Sequence, residues 1–244
     1  MLVFRPPVAV AVGVMALAAA CASGAVKGTS TQVVARAPDA TAQAGPAEVN
    51  VDEGSTHAQG IVDLTADKLR LTVTTTSQGT AGPATQLIAI GPDVWSRTAG
   101  AAQWAHASGP TGGLLSLPGL VSGDARALVA LVRGTTSITP YGGVQVRSFS
   151  TIRYDLKTDP QLAARNSPAH APQLLALAAA VDHTVRLACY VDDHNRIRRI
   201  EAAEDLTTAT VPTRDDASAV VATVDFIRFG LTDDITPPPP SQVG

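Results

Sequence analysis

Thirteen consecutive positions of strict alternation constrain this chain most. In VQVRSFSTIRYDL, residues 144–156, Val144, Val146, Ile152, Tyr154 and Leu156 share one parity with Ser148 and Ser150. A repeat of two belongs to a half-buried β-strand and is incompatible with a helix. Read as one strand, the segment would run about 43 Å at about 3.3 Å per residue. That is well past the usual strand of about 5–6 residues, so it predicts a strand that coils or bends.

The same period recurs along the chain. In KLRLTVT, Leu69, Leu71 and Val73 take one face and Lys68, Arg70, Thr72 and Thr74 the other, and HAQGIVDLT before it is the hairpin partner across Ala66 and Asp67. QLIAIGPDVWSR reads as two strands around a Gly91-Pro92-Asp93 turn, with a short strand near Gln103-Trp104-Ala105. TVRLACYVDDHNRIRRIEA reads as a hairpin that turns Val185, Leu187, Cys189 and Val191 inward, with residues 192–195 at the turn. SAVVATVDFIRFG is expected to close the sheet, with Val220, Ala222, Val224 and Phe226 in register. Two segments carry helical spacing instead. After a Pro-Gly break, Ser122 or Asp124 can cap a helix bearing Val121, Leu128, Leu131 and Val132 and stopping at Gly134. In SPAHAPQLLALAAAVDH, Pro168 or Pro172 opens a second helix that aligns Leu174, Leu177 and Val181. Strands, a helix, a long strand, a helix and further strands make an α+β fold on an antiparallel sheet.

The N-terminus points to export. Arg5 precedes an apolar run over residues 8–20 that is too short to span a bilayer and ends in small residues. Cys21 follows Leu17-Ala18-Ala19-Ala20 and resembles the lipobox of bacterial lipoproteins, in which that thiol is acylated before cleavage makes it the new N-terminus. Ordinary cleavage after Ala20, leaving a free thiol, is the alternative. Residues 22–54 are small and polar with no sustained period, and read as a flexible tether reaching roughly 30 Å. The expected organisation is a leader over 1–20, a lipidated end and tether over 21–54, a domain over 55–236 and a Pro-rich tail over 237–244. Acylation of Cys21 would leave Cys189 without a disulfide partner, a small hydrophobe in a strand.

Function classes narrow by composition. Charged residues are 16% of the chain, the net charge is −3, and no basic stripe is present, which excludes nucleic-acid binding as the role. His57, His106, His170, His183 and His194 are scattered, with no His-x-x-x-His, no paired cysteine ligands and no G-x-S-x-G elbow. Asp192-Asp193-His194 reads as a solvated turn rather than a metal site, the arginines at 196, 198 and 199 as a solvated strand face, and Asp182-His183 lacks a nucleophile in a recognisable context. No catalytic residue, metal or cofactor is expected.

GIVDLTADKLRLTVT, QLIAIGPDVWSR with Trp104, TPYGGVQVRSFSTIRYDLKTD, VRLACYVDDHNRIRRIE and the terminal VDFIRFGLTDDITPPPPSQV, taken in order, resemble the actinobacterial (mycobacterial) LppX/LprG-type lipoproteins over residues 55–243. The resemblance implies a LolA-like fold: a strongly curved antiparallel half-barrel with helices on its concave face, enclosing an apolar cavity for acylated lipids or glycolipids. It implies a lipid-anchored protein on the extracytoplasmic face of the cell membrane that carries or presents envelope lipids, with palmitate-type acyl chains on Cys21 and an envelope transporter as a possible partner. A sensor or scaffold of the same fold acting through a protein partner is the alternative. Candidate lining residues are Leu71, Val73 and Trp95 on the first strands, Leu117, Leu120, Val121, Leu128, Leu131 and Val132 on the first helical segment, and Val146, Ile152 and Leu187 on the later strands. Leu174, Leu177 and Val181 on the second helix complete them. Acyl tails need greasy volume rather than directional groups, since each buried methylene is worth about 0.8 kcal/mol.

Overall fold

The computed structural model describes residues 28–108, 124–180, 184–203 and 220–244. Cys21 and its leader, Leu117, Leu120, Val121, Val181 and the Asp182-His183 pair lie outside the described residues.

The chain enters through a helix, α1 (Ser30–Gln43), followed by β1 (Ala47–Glu53), β2 (Thr56–Asp63), β3 (Lys68–Ser77), β4 (Thr80–Ala81), β5 (Thr85–Ile90), β6 (Asp93–Thr98) and β7 (Ala105–Ala107). Then come α2 (Ala125–Val132), β8 (Thr135–Val146), β9 (Phe149–Thr158), α3 (Pro160–Asn166), α4 (Ala171–Ala180), β10 (Val185–Asp192), β11 (Ile197–Ala203) and β12 (Val220–Phe229). Among the described residues the strands form one antiparallel sheet in the order β7-β6-β5-β3-β2-β1-β12-β11-β10-β9-β8, with β4 paired to β3. The sheet is open, with β7 and β8 as its two edges. Register shifts at Glu48/Val49, Tyr190/Val191, Ala202/Ala203 and Pro140/Gly142 bend and twist the strands that carry them.

The tether expectation is corrected here. Residues 30–43 are helical and residues 47–53 form a central strand, so the folded body begins about 25 residues earlier than position 55. Thr29 caps α1 through a reciprocal box with Gln32: the Gln32 amide donates to Thr29 Oγ1 at 3.3 Å, and the Thr29 amide donates to Gln32 Oε1 at 3.1 Å. Val33, Val34, Ala37, Pro38 and Thr41 follow at helical spacing and are buried. Thr41 is fully buried; its hydroxyl donates to the Ala37 carbonyl at 2.6 Å and accepts from the Ile197 amide at 2.9 Å, which ties α1 to β11. A contiguous helix-covered core offsets the ordering that composition alone would not.

The long alternating strand is also corrected. Residues 144–156 are two strands folded back at Arg147 and Ser148, with Val146 opposite Phe149 and Arg147 in the left-handed region at φ 53°. A two-residue turn puts Val146 on the same face as Phe149 and Thr151, so Val144 and Val146 lie on the opposite face from Ile152, Tyr154 and Leu156. SAVVATVDFIRFG does not close the sheet; β12 is central, between β1 and β11.

The remaining signals resolve locally. Asp124 caps α2, its carboxylate accepting the Arg126 amide at 2.9 Å. α2 stops just before Gly134, where a Cβ would stand 2.3 Å from the Asp159 carbonyl, so that glycine lets the chain pass close to the start of α3. α3 itself, PQLAARN, is a further element; Asp159 caps it and Pro160 takes its first turn. The C-terminal segment is part of the body rather than a loose tail. Ile235 is buried against Ile88 and Trp104 on the face away from the helices, and Trp104 bridges in parallel to Val243. This second cover explains why Leu87, Ile88 and Ala89 are buried in succession on β5.

Candidate functional site

One face of the sheet is predominantly apolar. Val49 and Val51 of β1, Leu69, Leu71 and Val73 of β3, Leu87 and Ala89 of β5, Leu156 of β9, alternate residues of β10 and Val224 and Phe226 of β12 form a single core with all four helices. The core side chains on this face are hydrocarbon apart from the Cys189 thiol and the Tyr154 hydroxyl, and by register Thr56 and Thr158 are buried on the same face. Cys189 is fully buried, and burial pushes its thiol up to about 12, which keeps it protonated and chemically quiet.

The helices meet this face unequally. α1 and α2 lie directly on it: Val33, Val34, Ala37, Leu128, Val129, Leu131 and Val132 are buried with the strand side chains. α4 is held more loosely. Its sequence APQLLALAAA has no charge and one polar side chain, Gln173. Leu174 points into the core, Leu177 is half-buried against it, and Leu175 is 52% exposed. A surface helix ordinarily turns a polar stripe to water; α4 is apolar all round.

α2 is fixed at its start by a buried ion network. Arg126, 3% exposed, gives Nε and Nη2 to Asp124 at 3.3 and 3.2 Å, and Nη1 to the carboxylate and carbonyl of Asp67 at 3.0 and 3.2 Å. Asp67 sits at φ 52° in the β2–β3 turn, a conformation Asp tolerates. Burial works against the Arg126 charge, but Asp124 and Asp67 outweigh it and hold the guanidinium above its ordinary value.

Of the expected lining residues, Leu71, Val73, Leu128, Leu131, Val132, Leu174 and Leu187 are buried in the core between sheet and helices, with Ile152 and Leu177 half-buried at its margin. Trp95 and Val146 are not among them. Trp95 pairs with Ile88 and His106 on the opposite face, stacked on His106 with ring centroids 4.9 Å apart. Val146 packs with Ala188 and Tyr190 on that same outer side. Residues that the sequence did not offer belong to the core as well: Val33, Val34 and Ala37 of α1. Their signal was present in the capping box and the spacing that follows it. Cavities traced among the described residues open elsewhere, one of about 280 Å³ beside Trp104 and Ile88 and one of about 360 Å³ between α1, α2 and the α3–α4 connection.

The ionisable groups are spent on each other. Asp192 accepts from the His194 and Arg196 amides at 2.9 Å each, from Arg196 Nε at 3.0 Å and from Arg198 Nε at 2.8 Å. Burial opposes its ionisation, yet these donors hold its carboxyl below the ordinary range. A carboxylate so engaged has no lone pair to give a cation, although Asp192, Asp193 and His194 stand within 4.8 Å of one another. The four described histidines each neighbour a carboxylate: His57 with Asp52, His106 with Asp93, His170 with Asp67 and His194 with Asp193. No helix among the described residues is long and apolar enough to cross a membrane.

No protein-family profile and no curated protein matches the sequence. Solved structures do share its fold. The lipoprotein LppX of Mycobacterium tuberculosis aligns with a TM-score of 0.51 at 12% identity, covering 85% of this chain and 100% of that one. LprF of Mycobacterium bovis aligns with a TM-score of 0.51 at 14% identity, covering 85% and 95%. The chain therefore shares the fold of LppX and LprF: a large open antiparallel sheet with helices on one face.

Proposed function

We propose that this chain binds acylated lipids or glycolipids between α4 and the aliphatic face of its sheet, and carries or presents them outside the cytoplasmic membrane. The observation that carries this reading is α4, a helix with no charged side chain that packs on α2 and α3 and reaches the hydrocarbon core through Leu174 and Leu177, with Leu175 turned to solvent. Acyl chains entering beneath α4 would exchange helix contacts for their own, and each methylene buried contributes about 0.8 kcal/mol without needing a hydrogen bond. The fold shared with LppX and LprF supports it. The chain so read is a binder, not an enzyme.

Mass spectrometry under native conditions, on protein purified mildly from membranes, should show a stoichiometric acyl lipid. Leu177→Trp, which adds bulk where α4 meets the core, should cut occupancy at least about tenfold. Wild-type protein that carries no lipid and takes up none from vesicles would overturn the reading.

The same reading places a diacylated Cys21 in the outer leaflet of the cytoplasmic membrane. Two acyl chains anchor stably where one does not. Because α1 is capped at Thr29, residues 22–28 leave a span of at most about 25 Å between lipid and body, shorter than a tether running to residue 54. Cys21→Ala should abolish acyl incorporation and release the protein from the membrane fraction; unchanged mass and retention would refute the anchor.

A further inference from the structure

We infer that the cavity between α1, α2 and the α3–α4 connection binds an oxyanion of the phosphate class, the head group of the lipid whose chains lie under α4. This rests on the acyl-binding reading and adds the chemistry of the polar end.

The cavity, about 360 Å³, is faced by Arg126, Arg133, Asn166, Ser167 and His170 and, among the described residues, by no carboxylate. Its volume suits a small polar head group. Ser167 is 8% exposed, and its hydroxyl is buried without a hydrogen-bond partner among the described residues. Buried hydroxyls are ordinarily paired, and this unpaired one belongs to a residue that lines the cavity. Arg126 is oriented from behind by Asp124 and Asp67, which use four of its five N–H positions as they are drawn together and leave one Nη2 hydrogen over. Arg133 makes a 2.7 Å pair with Asp39, whose side chain is 58% exposed, so an incoming anion can take the guanidinium while Asp39 turns to water. His170 stands on the same wall with Nε2 3.8 Å from Asp67. Guanidinium forks with a hydroxyl beside them match the geometry of phosphate oxygens.

The cavity also borders the hydrocarbon interior. Val129 and Ala130 of α2 line it and belong to the core, and Leu64 packs against that core from the β2–β3 turn. α4 begins at the residue after His170. A single ligand can therefore set its charged end among these donors and its chains beneath α4.

Titration calorimetry on delipidated full-length protein tests this with dioctanoyl phosphatidic acid, dioctanoylglycerol and inorganic phosphate. The phosphatidic acid should bind at least about tenfold more tightly than the diacylglycerol. Arg133→Gln and Ser167→Ala should each remove most of that preference and leave dioctanoylglycerol unchanged. Ser167→Ala deletes an unpaired hydroxyl, so its melting temperature should not fall, which separates a lost contact from a lost fold. Equal wild-type affinity for the two lipids would overturn the head-group site while leaving acyl binding intact. Inorganic phosphate binding as tightly as the phosphatidic acid would overturn the lipid as its source. Phosphate binding that needs Arg133, with neither lipid bound, would overturn the acyl reading and leave the anion site standing.

Discussion

A chain starting at residue 45 should fail to fold cooperatively, whereas one starting at residue 28 should serve as the stable reference. α1 buries Val33 and Val34 to 1% exposure and Ala37 and Thr41 completely. Each valine is worth about 1.5–3 kcal/mol when buried, and removing the helix also uncovers the strand side chains beneath it and strands the Ile197 amide, which donates to Thr41. The loss amounts to about 5 kcal/mol or more, comparable with the whole stability of a domain at about 5–15 kcal/mol. Urea titrations followed by far-ultraviolet circular dichroism decide the matter. Coincident unfolding curves for the two chains would mean that residues 30–43 contribute nothing to the body. A milder probe of the same helix is Thr29→Ala, expected to cost about 1 kcal/mol through the lost cap.

Asp192→Asn is the second large effect. The substitution keeps the shape but removes the charge that Arg198, 4% exposed at its side chain, faces at 2.8 Å. A buried cation left without its partner costs about 3–5 kcal/mol. The pH dependence follows from the depressed Asp192 carboxyl. Its contribution is complete above the ordinary aspartate value near about 4 and is lost as pH falls through the lower folded value. The stability gap between wild type and Asp192→Asn should therefore be full at pH 7 and narrow progressively below pH 4. A gap that stayed constant down to strongly acid pH would show that the carboxylate charge is not what the variant removes.

Period two made the sheet legible, because every strand with one covered face writes its burial directly into the sequence; Leu69, Leu71 and Val73 show it plainly. Asp124 and the β2–β3 and β5–β6 turns were legible for equally local reasons. The hairpin at Arg147 was not, because that turn contains no Gly, Asn or Pro, and a tight two-residue reversal swaps the parity of the inward face without interrupting the alternation. Val146 was misplaced for that reason. Trp95 was misplaced because its strand has both faces covered, and only the register with Ile88 shows which one it takes. α1 was hidden by composition: its interior side chains are small, a proline sits within it, and its stability comes from a surface supplied by distant strands. The Thr29/Gln32 box was the readable clue. On the side away from the helices, the cover over Ile88 comes from Ile235 and Trp104, and a Pro-rich ending gives no hint of that docking.

The pairing of β1 with β12 sets Val49 beside Phe226 and joins the two portions of the sheet at their middle. A ribosome or a translocation pore releases this chain N-terminus first, so the half containing β1 waits with an unsatisfied hydrogen-bonding edge until β12, residues 220–229, emerges. Long-range closures of this kind are slow, and an open edge is a template for pairing with the wrong chain. Biogenesis of this protein thus has a built-in vulnerable interval, and its length is set by the synthesis or export time of residues 54–229.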